Sequence, residues 1–184
     1  AVNAWEADVV ELGEVRANSL VSVGTIRYGV LLFAIQVNRS TGLKGDPEMK
    51  SKMQNVSEVM QKGFDIIDEG LTNYKKVMPV GEEADAWQKF VTDYEQWRKR
   101  NEVYKSDVID GLIKSDNLEQ NEILFGKMAD HLKNITALRI SMENNMQKLY
   151  TVNKENMAKT SENAKKQSSS YRELSLLVVV ISIL

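Results

Sequence analysis

The stretch that decides the fold is PEMKSKMQNVSEVMQKGFDIIDEGLTNYKKVM, residues 47–78. Its apolar side chains recur every three or four positions, whereas charged side chains fill the opposite face. This spacing is typical of an amphipathic helix that packs one side against a protein core. The apolar stripe consists of Met49, Met53, Val56, Met60, Phe64, Ile67, Leu71, Tyr74 and Met78.

Three further segments have the same helical spacing, and no segment alternates with the period of two that a half-buried strand shows. The sequence therefore predicts an all-α protein with four helices. Besides the helix over residues 47–77, these cover residues 1–42, residues 82–113, and residues 117 to the end of the chain.

Short runs of turn-forming residues separate the four predicted helices. Gly42–Pro47 contains Asp46 as the expected N-cap and places Pro47 in the first turn of the second helix. Pro79–Gly81 ends that helix. Lys114–Asn117 precedes the last helix, and Ser115 or Asp116 is expected to cap it.

Four long helices joined by short turns pack most simply as an antiparallel, up-down-up-down four-helix bundle. An even number of helices brings both chain ends to the same side of such a bundle. The last helix would be ~100 Å long at 1.5 Å per residue, which exceeds what a compact domain needs. Its length favours a role in carrying a signal along the helix axis.

The C-terminal run Leu174–Leu184 is apolar except for Ser175 and Ser182. A helix that crosses a bilayer needs about 20 apolar residues, so this run is about half a span. Tyr171 and Arg172 precede it, as is common at a membrane interface. We therefore expect residues 1–173 to form an extramembrane domain and residues 174–184 to begin a transmembrane helix. A buried hydrophobic C-terminal helix or strand is the alternative.

The composition excludes several classes of function. Basic and acidic residues nearly balance, at 24 and 26, so the concentrated basic face of a nucleic-acid-binding protein is not expected. The chain has no cysteine, which excludes disulfides, thiolate metal sites and cysteine catalysis.

The single histidine bears on metal and haem chemistry. Met128 stands three residues before His131, so the Glu-x-x-His pairs of di-metal bundles are absent from the sequence. Haem held by His131 and a methionine is the other possibility, but methionines in helical stripes more often pack in a core. We expect no metal, no cofactor and no enzymatic activity.

The stretch Glu14–Val23 carries a resemblance to a known family. It resembles the Asn-Trp-Leu-Pro-Ser-Val region in the first helix of the four-helix-bundle sensor domains of bacterial methyl-accepting chemotaxis receptors. Asn18, Leu20, Ser22 and Val23 match that region, and Ser19 and Val21 replace its Trp and Pro.

The resemblance implies a periplasmic domain between two transmembrane helices of an inner-membrane receptor. Such domains form homodimers and bind small attractants in the half of the bundle that lies away from the membrane. The expected function is therefore ligand sensing for chemotaxis, with the signal leaving through the last helix. Sensor domains of histidine kinases or cyclic-dinucleotide enzymes, and a membrane-anchored adaptor that senses nothing, remain alternatives.

A receptor pocket needs fixed cations or hydrogen-bond donors, and the guanidinium fork of arginine suits small carboxylates. Counting residues from the turns places five polar side chains at a similar depth in the bundle and a sixth, Tyr104, nearer the tip. We expect them to bind a small, anionic ligand. They are Arg27, Arg98, Asn101, Tyr104, His131 and Asn134. A buried Asn101 has an equally favoured alternative role, which is to fix the register of the core.

Other polar residues lead to further expectations. Arg39 should meet solvent or a dimer partner, whereas Arg139 should face inward and pair with Asp68 or Glu69. Gly24 and Gly29 favour close approach of a second copy along the first helix. The inward stripe of the last helix should become polar after Val152, which would let this half slide. That stripe consists of Asn156, Thr160, Asn163 and Gln167.

Overall fold

The computed structural model describes the backbone of residues 2–77 and 79–183, and the side-chain surroundings of residues 6–77 and 79–170. Over this part of the chain the protein is all-α and contains four helical rods joined by short turns. The predicted fold class is confirmed at this level.

The first rod consists of α1 (Val2–Val10), a π-helical segment (Glu11–Arg16) and α2 (Ala17–Thr41). The second rod is α3 (Met49–Lys75). The third consists of α4 (Glu82–Tyr104), a second π-helical segment (Lys105–Ile109) and α5 (Asp110–Lys114). The fourth is α6 (Leu118–Ile183), a single helix of 66 residues. All four predicted helices are present, with similar bounds.

Local chemistry explains where the rods begin. Helix α3 begins at Met49 with Glu48 as its N-cap, so the expectations that Asp46 caps this helix and that Pro47 lies in its first turn were wrong. Asp46 Oδ1 accepts a hydrogen bond from the Glu48 backbone N–H at 2.7 Å in the turn before the helix. At the start of α6, Asn117 Oδ1 accepts from the backbone N–H of Gln120 at 3.1 Å. The capping residue is therefore Asn117, and the expectation of Ser115 or Asp116 was wrong. The carboxylate of Asp116 instead pairs with Lys50.

The core is built around an aromatic cluster that joins three rods. The ring centroid of Phe33 in α2 lies 4.8 Å from that of Phe64 in α3 and 5.1 Å from that of Trp97 in α4. The Phe33–Phe64 pair is tilted and the Phe33–Trp97 pair is edge-to-face, and aromatic pairs of this kind stabilise a core beyond the area that they bury. Met142 and Met146 of α6 are also buried, so the fourth rod contributes to the same core.

Helices α2 and α3 approach closely at glycines. A Cβ added at Gly29 would lie 2.7 Å from the carbonyl oxygen of Gly63, and one added at Gly70 would lie 3.0 Å from that of Ser22. Gly29 therefore serves packing within the chain, not the predicted contact with a second copy. Open space surrounds Gly24, which leaves it available for such a contact.

A buried polar cluster joins all four rods, and the sequence pattern did not reveal it. Glu83 is 1% exposed and accepts hydrogen bonds from Arg16 and from the Tyr74 hydroxyl. Asn153 Nδ2 donates to the Tyr74 hydroxyl at 2.9 Å, and its Oδ1 accepts from Arg16 at 3.3 Å. Glu11 forms a second ion pair with Arg16 at 2.6 Å. Burial and the Glu83 carboxylate raise the pKa of Tyr74.

Several predicted orientations can be compared with the structure. Arg39 is exposed, as expected, and donates to Asn55 at 3.0 Å. Arg139 does not pair with Asp68 or Glu69: it is partly exposed and pairs with Glu143 on its own helix at 2.8 Å. Asp68 instead accepts from Arg98.

Only some residues of the polar stripe that was expected on the inward side of α6 face inward. Asn156, Thr160 and Gln167 are half-buried, and Gln167 donates to Asp8 at 3.1 Å. Asn163 is exposed, so its expected inward position was wrong. Ala164 lies on the inward side in its place, because α6 turns by about 100° per residue.

One helical stretch among the described residues is long and apolar enough to cross a membrane. It is Glu6–Thr41, with a mean hydropathy of 1.7 over its most apolar 18 residues, of which 44% are buried. Core helices of soluble proteins pass the same test, and α2 supplies core residues here. The predicted membrane segment, residues 174–184, is helical as far as Ile183, and its side chains lie outside the described residues.

Candidate ligand-binding groove

The structure separates the six predicted ligand-binding residues into three places. Asn101, Tyr104 and His131 are in contact between α4 and α6. Asn134 lies one turn along α6 from His131, and both line a groove beside that contact. Arg98 and Arg27 lie elsewhere, each facing a different neighbouring helix.

His131 is held by the two residues of α4. Its ring stacks on Tyr104 with centroids 4.2 Å apart and an interplanar angle of 11°. The hydroxyl of Tyr104 lies 3.0 Å from Ser40 Oγ in α2, and burial raises the pKa of Tyr104 to about 12. Tyr104 is therefore a neutral, fixed surface against which the imidazole rests.

Asn101 is 1% exposed, and both ends of its amide are hydrogen-bonded within the protein. Its Nδ2 donates to the carbonyl of Trp97 at 2.7 Å, and its Oδ1 faces His131 Nε2 at 3.1 Å. Because an amide oxygen only accepts, Nε2 of His131 carries the proton. Asn101 thus positions His131 and fixes its tautomer.

Burial and the nearby charge of Arg100 lower the pKa of His131 to about 4. The imidazole is therefore neutral at neutral pH. The cation that an anionic ligand would meet there is supplied by Arg100, and His131 contributes a neutral polar edge.

The groove between α4 and α6, called the α4–α6 groove below, has a volume of 510 Å³. Arg100 donates to the backbone carbonyl of Asn134 at 3.2 Å, which holds its guanidinium across the groove. Two cations line the groove, and its lining includes no carboxylate. The lining residues are Gln96, Lys99, Arg100, Val103, His131, Asn134 and Ile135.

The charge of Arg98 is already neutralised on the other side of α4. Its guanidinium pairs with Asp68 of α3 and, at 2.7 Å, with Glu102, and it lies 4.9 Å from the centre of the Phe64 ring. An anionic ligand would have to displace these partners. Arg98 is therefore better explained as a contact between α3 and α4.

Arg27 is exposed and lines a separate groove of 600 Å³ between α2 and α6. Arg139 and Glu143 also line this groove, where they form an ion pair with each other. Arg27 and His131 thus line different grooves, although residue counting placed the two at a similar depth.

Sequence reasoning missed Lys99 and Arg100, the two cations of the α4–α6 groove. Successive residues of a helix point about 100° apart, so Arg98 faces α3 whereas Arg100 faces α6. The run Arg98-Lys99-Arg100 was a usable signal, and a helical wheel referred to the buried Trp97 and Asn101 would have separated its members.

No group of three or more His, Cys, Asp or Glu side chains able to hold a metal ion occurs among the described residues. Comparison with known proteins gives no match to a family model, to a curated protein or to a solved structure. The inference of function therefore depends on the residues and their geometry.

Proposed function

We propose that this chain is the extracytoplasmic ligand-sensing domain of a transmembrane chemotaxis receptor, and that it binds a small anion in the α4–α6 groove. The observation that carries the proposal is that two cations, Arg100 and Lys99, line the same groove and that its lining includes no carboxylate. An arginine fork recognises carboxylates well, and a groove that lacks acidic groups does not repel them. Val103 and Ile135 add apolar surface for the body of the ligand.

The proposed architecture is the antiparallel, up-down-up-down four-helix bundle. The contacts between α2 and α3 support it, because residues later in α2 contact residues earlier in α3. Ser22 and Ile26 contact Gly70, whereas Phe33 contacts Gly63. In this arrangement the two chain ends lie on one side, which is where the membrane is placed.

Helix α6 is proposed to carry the signal to the membrane. His131 at the groove and Asn153 in the buried polar cluster lie on this one helix, ~33 Å apart at 1.5 Å per residue. A ligand that moves α6 by ~1–2 Å would change the hydrogen bonds of Asn153 with Arg16 and Tyr74. Beyond Val152 the polar, half-buried contacts of α6 hold its register less firmly than a packed core does.

The proposed partner along the first rod is a second copy of the chain. A stripe of exposed apolar residues runs along α2, called the α2 stripe below, and it consists of Val21, Tyr28, Leu31 and Ile35. Together with the open Gly24 their spacing alternates between three and four, as in the seam of a coiled coil. The core residues of α2 lie on a different face, so the α2 stripe remains available for a partner.

The proposal is tested by a thermal-shift screen with acetate, succinate, benzoate and inorganic phosphate, using succinamide as the uncharged counterpart of succinate. A ligand at 100 times its dissociation constant adds about 2.7 kcal/mol to the free energy of unfolding. At least one anion should therefore raise the melting temperature, and succinamide should not.

Three variants locate the binding. Arg100→Gln should remove the shift, whereas Arg27→Gln and the exposed Lys89→Gln should keep it. A shift lost only in Arg27→Gln would move the site to the groove between α2 and α6. No shift with any anion would favour the adaptor that senses nothing.

A further inference from the structure

A second groove lies where the turn between α2 and α3 meets the start of α6, and it is called the turn groove below. Its volume is 680 Å³, compared with 510 Å³ for the α4–α6 groove. Met49, Leu118 and Phe125 give it an apolar surface. Leu118 is 83% exposed, which leaves a large apolar side chain in water at the edge of the groove.

Every charged side chain that lines the turn groove already has a partner of opposite charge. The pairs are Lys44 with Glu122 at 2.6 Å, Lys50 with Asp116, and Lys52 with both Asp46 at 2.7 Å and Glu48 at 3.2 Å. A charged ligand would have to break one of these pairs. An uncharged ligand leaves them intact, and the ion pairs then flank its apolar body.

Asn121 supplies a polar group that lacks a partner. It lines the turn groove, and its Oδ1 is enclosed by the protein without a hydrogen-bond donor among the described residues. A buried acceptor without a donor is unfavourable. The residue as a whole is only partly buried, so a rotation of its amide toward the groove would let Oδ1 accept from a bound molecule.

We propose that the turn groove is a second binding site, which takes a small, uncharged aromatic molecule bearing one O–H or N–H donor. The apolar body lies against Phe125, Met49 and Leu118, and the donor bonds to Asn121 Oδ1. None of these residues lines the α4–α6 groove, so this site does not depend on anion binding there.

The test measures binding of three probes that share a naphthalene body, by calorimetry on the intact chain at neutral pH. 2-Naphthol has the donor, 2-methoxynaphthalene lacks it, and 2-naphthoate carries a charge. We expect saturable binding of 2-naphthol, at least fivefold tighter than that of either other probe. Equal affinity for the methoxy compound, preference for the naphthoate, or absence of saturable binding would each overturn the proposal.

Matched variants locate the bound probe. Asn121→Leu keeps the number and branching of the side-chain heavy atoms and removes the acceptor, so 2-naphthol should bind at least fivefold more weakly. Gln120→Leu makes the same kind of change on the adjacent exposed residue, outside the groove lining, and should leave the affinity unchanged. Phe125→Ala should weaken all three probes. Unchanged 2-naphthol affinity in both Asn121→Leu and Phe125→Ala would place the probe elsewhere and refute the site.

Discussion

The amide oxygen of Asn101 lies 3.1 Å from Nε2 of His131, and this contact connects α4 with α6 at the edge of the groove. The other end of the same amide is bound to the carbonyl of Trp97. Asn101 is therefore fixed by the core, and it fixes His131 in turn. The position of His131 in the proposed ligand site therefore depends on this buried amide.

The depressed pKa of His131 predicts a pH dependence of stability. The pKa is about 4 in the folded chain and 6.5 ordinarily, so between these values the unfolded chain binds a proton that the folded chain does not. The contribution is fully present above pH 6.5 and is lost as the pH falls toward 4. Because the ring is partly exposed, we expect a loss of ~1 kcal/mol.

Denaturant unfolding at pH 7 and pH 4 measures this loss in the wild type and in His131→Gln, which removes the titrating group. The variant should lose about 1 kcal/mol less than the wild type across this range. An identical pH dependence in the two proteins would contradict the assignment.

The ion pair between Arg16 and Glu83 should be strongly coupled. Removing Arg16 leaves the Glu83 carboxylate buried without a cation, so Arg16→Met should lower the free energy of unfolding by about 3–5 kcal/mol. Glu83→Gln should cost less, because Arg16 keeps its ion pair with Glu11. The double variant should cost clearly less than the sum of the two single variants, because it removes the buried Glu83 carboxylate together with its partner.

Chemical denaturation of the two single variants and the double variant gives the coupling energy. Lys166→Met removes an exposed pair with Glu162 and should cost at most about 1 kcal/mol. Additive effects of Arg16→Met and Glu83→Gln would show that the buried pair does not act as a unit.

The close approach of α2 to α3 predicts opposite effects of alanine at two helical glycines. At Gly29 a Cβ would lie 2.6 Å from Ile67 Cγ1 and 2.7 Å from the Gly63 carbonyl, so Gly29→Ala should destabilise by about 1–3 kcal/mol. Open space surrounds Gly126, and Gly126→Ala should stabilise by up to about 1 kcal/mol through helix propensity. Thermal unfolding of the two variants measures whether each substitution raises or lowers stability. Stabilisation by Gly29→Ala would contradict the close packing of α2 against α3.

The α2 stripe predicts self-association. Sedimentation equilibrium of the wild type should show a dimer that forms with rising concentration, and Leu31→Glu should weaken it at least tenfold, or about 1.4 kcal/mol, because it places a charge in the apolar seam. Ile140→Glu makes the same change at an exposed apolar residue of α6 and should have no effect. A wild type that stays monomeric at high concentration, with and without succinate, would refute the proposed dimer.

The helices could be predicted from the sequence because hydrophobic periodicity and turn residues are local signals. The considered burial of Asn101 is also confirmed, since this residue falls in register with Trp97. Partners across helices could not be predicted, because they depend on how each rod is rotated about its axis. Arg139 illustrates this: it lines the groove between α2 and α6 and pairs with Glu143 of its own helix, whereas Asp68 pairs with Arg98 of α4.

The buried cluster of Arg16, Glu83, Tyr74 and Asn153 was missed for a related reason. Glu83 lies at the start of the predicted third helix, where charged residues are normally solvated, and nothing in the spacing of Arg16 within the first helix indicates burial. Only the convergence of all four rods brings them together. The same limit applies to Arg100, whose role depends on the side of α4 that meets α6.

The central claim is that a small anion binds at Arg100, and a titration of the isotope-labelled chain with succinate, followed by NMR, tests it most directly. The account predicts that the side-chain N–H resonance of Arg100 and the resonances of His131 and Asn134 shift saturably with one dissociation constant. It also predicts that Arg100→Gln weakens binding by about 1.5–3 kcal/mol. Saturable shifts confined to Arg27 and Arg139, or unchanged affinity in Arg100→Gln, would contradict it.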